Sequence, residues 1–398
     1  MSKIYFVNGE VHTPLETIQP GAVIVDNGWI ARVGWSERLE PPAGAEVIDV
    51  GGRVVLPGLI DLHFYGCGGV SLTDDATSTD DLCTIAGMLP RWGVTGFLIS
   101  PMAADHETLL SRLRAVAEAV ERWREEQVGA VPLGIHLEGP YLNPARRGAF
   151  PGDWLREPSL DEVEAYLDAA QGHVRVMTLS PELPNAREVA QFLRRQGVLP
   201  SLGHSVADYE TARDALRTDF PLVTHVFNAM TGLHHRQPGV VGAVLDSTAV
   251  SAGLINDGIH VHPAVVRLLV RVLGPERLVL VTDAMAAAGL GDGEYQLLGQ
   301  RVFVQGGEAR LAGGTLAGSL LTLDRAVVNA RRFTGLGWGQ AARMATLNPA
   351  RLLGLDTPRG GRGALLPGYR ADLTILTGDG GDVWLTLVGG KVAYRADS

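Results

Sequence analysis

The sequence predicts an α/β fold: a (β/α)8 TIM-like barrel with a small β-sandwich domain built from both chain ends. Three observations predict it. From about residue 54, apolar runs of strand length alternate with amphipathic helical stretches. Eight such runs can be counted, the number that closes a parallel barrel. The two chain ends share a β-rich texture that the middle lacks.

The elements follow in order. The runs KIYFVNG, GAVIVDNGWIARVG and AEVIDVGGRVVLPG alternate apolar and polar residues and break at Gly, Asn and Pro. Asp26-Asn27-Gly28 is a hairpin turn signal. The barrel strands are then VVLPGLIDLH, VTGFLIS, VPLGIHLE, VRVMTLS, VLPSLGH, LVTHVF, VSAGLI and LVLVTD. Between them lie helical stretches such as HETLLSRLRAVAEAVERWREEQ, SLDEVEAYLDAA, AREVAQFLRRQ and HPAVVRLLVRVL. The connection after LVTHVF is less clearly helical. After Asp283 a β-hairpin insertion is expected over EYQLLGQRVFVQGGEARLAGGTLAG, then two helices. The end, GALLPGYRADLTILTGDGGDVWLTLVGGKVAYRADS, turns β-like again and is expected to pair with the N-terminus. The domains read as 1–55 and 363–398 for the small β domain and 56–362 for the barrel.

Composition fits this size. Of 398 residues, 46% are apolar, enough for a large core. A net charge of −10 argues against a nucleic-acid partner. Cys67 and Cys83 make no disulfide framework, so a reducing compartment is the simpler reading. No apolar run approaches the ~18 residues of a membrane span, and the N-terminus lacks a signal-peptide pattern. A cytoplasmic protein with no membrane partner is expected.

Barrel active sites lie at the C-terminal strand ends. Here the first strand ends at His63, the third at Glu138 and the fifth at His204. The sixth places His225 near its end, the seventh leads to Asp257 and His260, and the eighth ends at Asp283. Singly, each has a plainer reading: a satisfied structural histidine, a turn acid, or a helix cap. Together they put imidazoles and carboxylates at one end of most strands, which structural roles alone do not predict. Two His and one carboxylate form a familiar ligand set for catalytic zinc, and Glu138, His204 and His225 supply it. Asp283 is left as a carboxylate suited to general base and acid.

At these residues the chain resembles the amidohydrolase superfamily and, within it, the N-acetylglucosamine-6-phosphate deacetylases. The resemblance covers nearly the whole chain. LPGLIDLHFYG and GALLPGYRADLTIL are similar to superfamily motifs. HLEGPYLNPARRGAF, SLGHS, THVFNAM with HHRQPG, GLINDGIHVHP, LVTDAMAAAG and GGTLAGS are similar to the narrower family. The resemblance implies hydrolysis of N-acetyl-D-glucosamine 6-phosphate to D-glucosamine 6-phosphate and acetate, in amino-sugar catabolism and cell-wall recycling. It implies Glu138, His204 and His225 as metal ligands and Asp283 as acid/base. His260 is implied near the scissile amide. Arg236 is implied at the sugar phosphate, reaching it from the neighbouring subunit of a homodimer. Substrate contacts are implied from Ala149, Phe150, Asn228, Ala229, Asp257, Leu316, Ala317 and Gly318.

Two departures matter. Some relatives carry His where this chain has Phe150. Many superfamily members have His-x-His on the first strand and hold two metals, whereas here the pair is His63 and Tyr65. Tyrosine is a poor zinc ligand at neutral pH because its phenol stays protonated. Lys3 and Lys391 are the only lysines. A carboxylated barrel lysine bridging two metals is therefore excluded, and with it dihydroorotase-like and hydantoinase-like readings. One divalent ion per chain is expected, zinc first, with Fe2+ or Co2+ as alternatives. His63 is left as a neighbour of the ligands or a weak second-metal residue. Two rival functions are another amidohydrolase with the same metal site and a catalytically dead barrel used for binding. Retention of Glu138, His204, His225 and Asp283 argues against the second.

Overall fold

The computed structural model describes residues 3–73, 78–102, 104–378 and 380–397. Eight strands lie side by side in chain order: Leu59–Phe64, Val94–Ile99, Val131–Glu138, Val174–Leu179, Leu199–Leu202, Leu222–Val223, Ser251–Ile255 and Leu278–Val281. Every neighbouring pair in this sheet is parallel. The eighth strand returns to the first just beyond its end. There Asp283 N donates to His63 O at 2.9 Å, and Tyr65 N donates to Ala284 O at 2.9 Å. The closing seam of the barrel therefore runs through expected site residues.

The helices that cover the barrel form where caps and periodicity agree. In Pro263–Leu273, Pro263 occupies the first turn and the His262 side chain accepts from Ala264 N at 3.2 Å. Val266, Leu269 and Leu273 fall on one stripe and are buried. Gly274, at φ 72°, stops the helix. Each such buried side chain contributes about 1.5–3 kcal/mol.

The small domain is one connected sheet of eight strands, seven of them in a single path. Three C-terminal strands, Leu373–Leu376, Val383–Val388 and Lys391–Arg395, join it through Val54–Pro57. Val54–Pro57 in turn pairs in parallel with Lys3–His12. One apolar core, including Phe6, Val25, Leu373 and Leu385, links both chain ends. The turn between Thr17–Asp26 and Trp29–Trp35 is Asn27-Gly28, both at positive φ (51° and 85°), as a type I′ hairpin requires.

Four local expectations change. VVLPGLIDLH is two strands, because the chain crosses from one domain to the other at Gly58. A Cβ there would meet Thr95 Oγ1 at 2.2 Å. LVTHVF contributes only Leu222–Val223, because His225 turns out of the ladder at φ 27°. The connection that follows is helical, Gly239–Asp246. Its residues Gly239–Val244 are all buried, which erases the amphipathic signal. The insertion is three antiparallel strands, Gly293–Leu297, Gln300–Gln305 and Glu308–Leu311, and three helices rather than two follow.

Candidate active site

Glu138 is the last residue of its strand, while His204, His225 and Asp283 each follow a strand by two residues. All four are buried. His204, His225 and Asp283 adopt left-handed backbone, with φ of 50°, 27° and 54°. Such non-glycine geometry costs on the order of 1–3 kcal/mol and concentrates at functional sites.

Three ligand-capable atoms converge. Oε1 of Glu138 lies 3.1 Å from His204 Nε2 and 3.0 Å from His225 Nε2, and the two nitrogens are 3.2 Å apart. Nδ1 of His204 lies 2.7 Å from the carbonyl oxygen of Arg146. That bond takes a proton on Nδ1, and the neutral ring in that tautomer presents the lone pair of Nε2 to the carboxylate side, as a metal ligand must. Lone pairs so close repel unless a positive charge lies between them. Zinc bonded tetrahedrally at about 2.1 Å would give edges of about 3.4 Å, near the observed spacings. The donor set thus fits a divalent cation.

His63 stands beside this cluster. Its Nε2 is 2.6 Å from the Tyr65 hydroxyl, 3.5 Å from Glu138 Oε2 and 3.6 Å from Asp283 Oδ1. The Tyr65 hydroxyl also donates to Glu138 Oε2. Burial first, then the negative charges of Glu138 and Asp283, push the Tyr65 phenol well above its ordinary range. His136 in HLEGP is structural: Nδ1 meets Leu62 O and Nε2 meets Thr178 Oγ1, both at 2.8 Å. Burial, with the nearby His63, pushes it down to about 3. Below the site, Thr282 Oγ1 donates to Asp61 Oδ2 at 2.6 Å, bracing the eighth strand against the first. Burial raises the Asp61 carboxyl to about 6 against those hydrogen bonds.

Asp257 and His260 form a second pair, with His260 Nδ1 2.6 Å from Asp257 Oδ2. Asp257 Oδ1 accepts from the backbone N–H groups of Ile259 and His260, each at 2.8 Å. Burial alone would lower the His260 pKa, but the Asp257 hydrogen bond and charge raise it.

A cavity of about 570 Å³ opens over these groups, within the usual range for small-molecule sites. Glu138, His204, His225, His260 and Asp283 line it, as do Ala149, Phe150, Asn228, Ala229, Leu316 and Gly318. Ala317 is buried behind this wall. Phe150 meets the His204 ring edge to face at 5.6 Å and joins an apolar cluster with Tyr65, Met102 and Met285. Arg236 stands apart: it is exposed, outside the cavity, and contacts His235 Nε2 at 2.7 Å. Arg310, on the last strand of the insertion, lines the cavity instead. Nothing in its sequence surroundings, EARLAGG, marks it. Another groove, of about 390 Å³, lies between the domains beside His12, Trp338 and Arg343 and holds none of the converging ligand atoms.

Among known proteins, the amidohydrolase family model matches residues 54–393. N-acetylglucosamine-6-phosphate deacetylase of Bacillus subtilis (strain 168) is 35% identical over 382 residues, covering 96% of this chain and 95% of that protein. N-acetylgalactosamine-6-phosphate deacetylase of Escherichia coli O157:H7 is 40% identical over 335 residues, covering 84% and 86%. A mutant N-acetyl-D-glucosamine-6-phosphate deacetylase from Mycobacterium smegmatis, solved with N-acetyl-D-glucosamine 6-phosphate, superimposes with a TM-score of 0.89 at 33% identity. It covers 99% of this chain and 100% of that one. The Thermotoga maritima enzyme of the same name gives 0.86 at 31% identity, with the same coverage.

Proposed function

The chain belongs to the amidohydrolase family, and from that premise we propose that it hydrolyses the acetamide of N-acetyl-D-glucosamine 6-phosphate to D-glucosamine 6-phosphate and acetate. The observation that carries this reading is the convergence of Glu138, His204 and His225 beside Asp283 in one cavity. Full-length similarity to deacetylases of that name supports the substrate class.

Glu138, His204 and His225 would hold one divalent ion, zinc by ligand type, with Fe2+ or Co2+ also compatible. When bound, such an ion supplies Lewis acidity toward the acetyl carbonyl and the attacking water. Asp283 takes the proton of that water as oxygen adds to the carbonyl carbon. With Nδ1 tied to Asp257, His260 offers Nε2 to the oxygen on which negative charge develops. Asp283 then delivers its proton to the nitrogen as the C–N bond breaks. An amine leaves readily only when protonated, so one carboxylate serves twice.

Ala149, Phe150, Asn228, Ala229, Leu316 and Gly318 would shape the sugar site. An exposed Arg236 outside its own cavity is compatible with a phosphate role only across a subunit interface, so a homodimer belongs to this reading. A cytoplasmic setting also belongs to it. Among the described residues, no helix is long and apolar enough to cross a membrane.

A second reading, the galactosamine epimer as substrate, is favoured by the 40% identity to the Escherichia coli relative. Acetate release from both N-acetylhexosamine 6-phosphates and from free N-acetylglucosamine separates the readings. The first reading expects the glucosamine phosphate to be fastest and the free sugar slowest. Activity on neither phosphate would reject both.

A further inference from the structure

A cavity of about 530 Å³ lies away from the Glu138 cluster, where the end of the helix His106–Glu126 meets the last hairpin of the small domain. Arg124, Arg362, Arg370 and Lys391 line it, and among the described residues no carboxylate does. In a chain of net charge −10 this is a local reversal of sign. It shares no lining residue with the cavity over Glu138. Val131, in its wall, begins the barrel strand that Glu138 ends. The two cavities therefore sit at opposite ends of that strand, roughly 20 Å apart.

Two of the four cations are paired. Arg124 Nη1 lies 2.6 Å from Glu121 Oε1. Arg362, only 9% exposed, donates to Asp372 Oδ2. The other oxygen of Asp372 accepts from Gly389 N at 2.7 Å, so both oxygens of that carboxylate are engaged. Arg370 and Lys391 make no ion pair among the described residues. Nε of Arg370 is buried and has no hydrogen-bond partner, which is rare for a buried donor. The Trp29 ring, 5.5 Å from Arg370 Cζ, faces the guanidinium but accepts none of the N–H bonds at its edge. Gly389 makes room for this group: a Cβ there would meet Arg370 Nη2 at 2.5 Å. Burial lowers the Arg362 pKa, Asp372 pulls it back, and the Arg370 charge lowers it again, so the two guanidiniums repel one another.

Four cations against two paired carboxylates leave two positive charges over. A phosphate monoester carries about 1.5 to 2 negative charges near pH 7. Guanidinium groups bind its oxygens through charge-assisted hydrogen bonds. Trp123, Val131, Val388 and Val392 give the cavity an apolar side for a small carbon skeleton. The geometry points to a second ligand site in this cavity, one that takes the dianionic phosphate of a small phosphate ester between Arg370 and Lys391. The site does not depend on the deacetylase reaction. An occupant would tie the helix end to the hairpin, and so the barrel to the small domain.

The test is hydrogen exchange by mass spectrometry on the full-length protein, titrated with glucose 6-phosphate, inorganic phosphate or glucose. Glucose 6-phosphate lacks the acetamide, so no turnover accompanies binding. It is expected to slow exchange in segments 123–131 and 388–393, and glucose is not. Arg370→Gln should raise the midpoint of protection about 10- to 150-fold. Lys391→Gln, at an exposed position, should raise it about 2- to 5-fold. A weaker response to inorganic phosphate identifies the ester as the occupant, and an equal one identifies free phosphate; both uphold the dianion site. No protection in these segments, equal protection by glucose, or an unchanged midpoint in Arg370→Gln overturns the proposal. If Arg370→Gln does not fold, the wild-type map and Lys391→Gln decide, and an unchanged midpoint in the latter overturns it. Acetate release is not read in this test, so loss of the deacetylase reading leaves its outcome intact.

Discussion

Nδ1 of His260 lies 2.6 Å from Oδ2 of Asp257, and this contact fixes which face of the imidazole meets the cavity. The pair also gives stability a pH signature. The His260 pKa is raised in the folded chain, so its contribution is complete below about 6.5 and fades as pH rises through the folded value. The Asp257 pKa is lowered, against its burial, by the His260 hydrogen bond and charge. Its contribution is complete above about 3.9 and fades in acid. Asp257→Asn should therefore cost about 1.5–3 kcal/mol near pH 5–6, and less at pH 9. Denaturant unfolding of both proteins across pH checks this; a gap that widens above pH 7 would contradict it.

Asp283→Asn should lower kcat by about 100- to 10,000-fold, the usual span for a general acid or base. Metal content and KM should change little. A near-normal rate would remove Asp283 from the proton relay.

Arg236→Ala should lower kcat/KM for the phosphorylated sugar about 10- to 150-fold, the equivalent of about 1.5–3 kcal/mol from lost charged hydrogen bonds. Free N-acetylglucosamine should be unaffected. Arg310→Ala is the control within one chain, because Arg310 lines the cavity and Arg236 does not. If only Arg310→Ala discriminates between the two sugars, the phosphate site lies within one subunit. Light scattering of the purified protein gives the oligomeric state independently.

Thr282→Val keeps the shape of the residue but removes the hydroxyl that donates to Asp61 at 2.6 Å. Asp61 is fully buried, so a lost donor should cost about 1–3 kcal/mol. Denaturant midpoints measure it. Loss below ~0.5 kcal/mol would mean that the brace between the eighth and first strands is dispensable.

Much of the architecture is legible in the sequence because strand and helix periods differ and alternate. The polar residues at strand ends were legible for the same reason: each interrupts an apolar run. What was not legible has physical causes. His225 leaves its ladder through a left-handed backbone, which composition does not announce, so the sixth strand came out too long. The helix at Gly239–Asp246 is buried on all sides of its first six residues and shows no amphipathic stripe. Tyr65 read as a missing ligand, whereas its hydroxyl joins His63 to Glu138, a contact across 73 residues of chain. Arg310 enters the cavity only through the pairing of the insertion's strands. Asn27-Gly28 was legible because a type I′ turn requires positive φ at both positions.

The most direct measurement is a zinc titration of chelator-treated enzyme, with acetate release from N-acetylglucosamine 6-phosphate followed against ions bound per chain. The expected result is no turnover without metal and a linear rise that breaks at one ion per chain, abolished in Glu138→Gln. Full activity of the metal-free chain, or a rise that breaks only at two ions, would contradict the account.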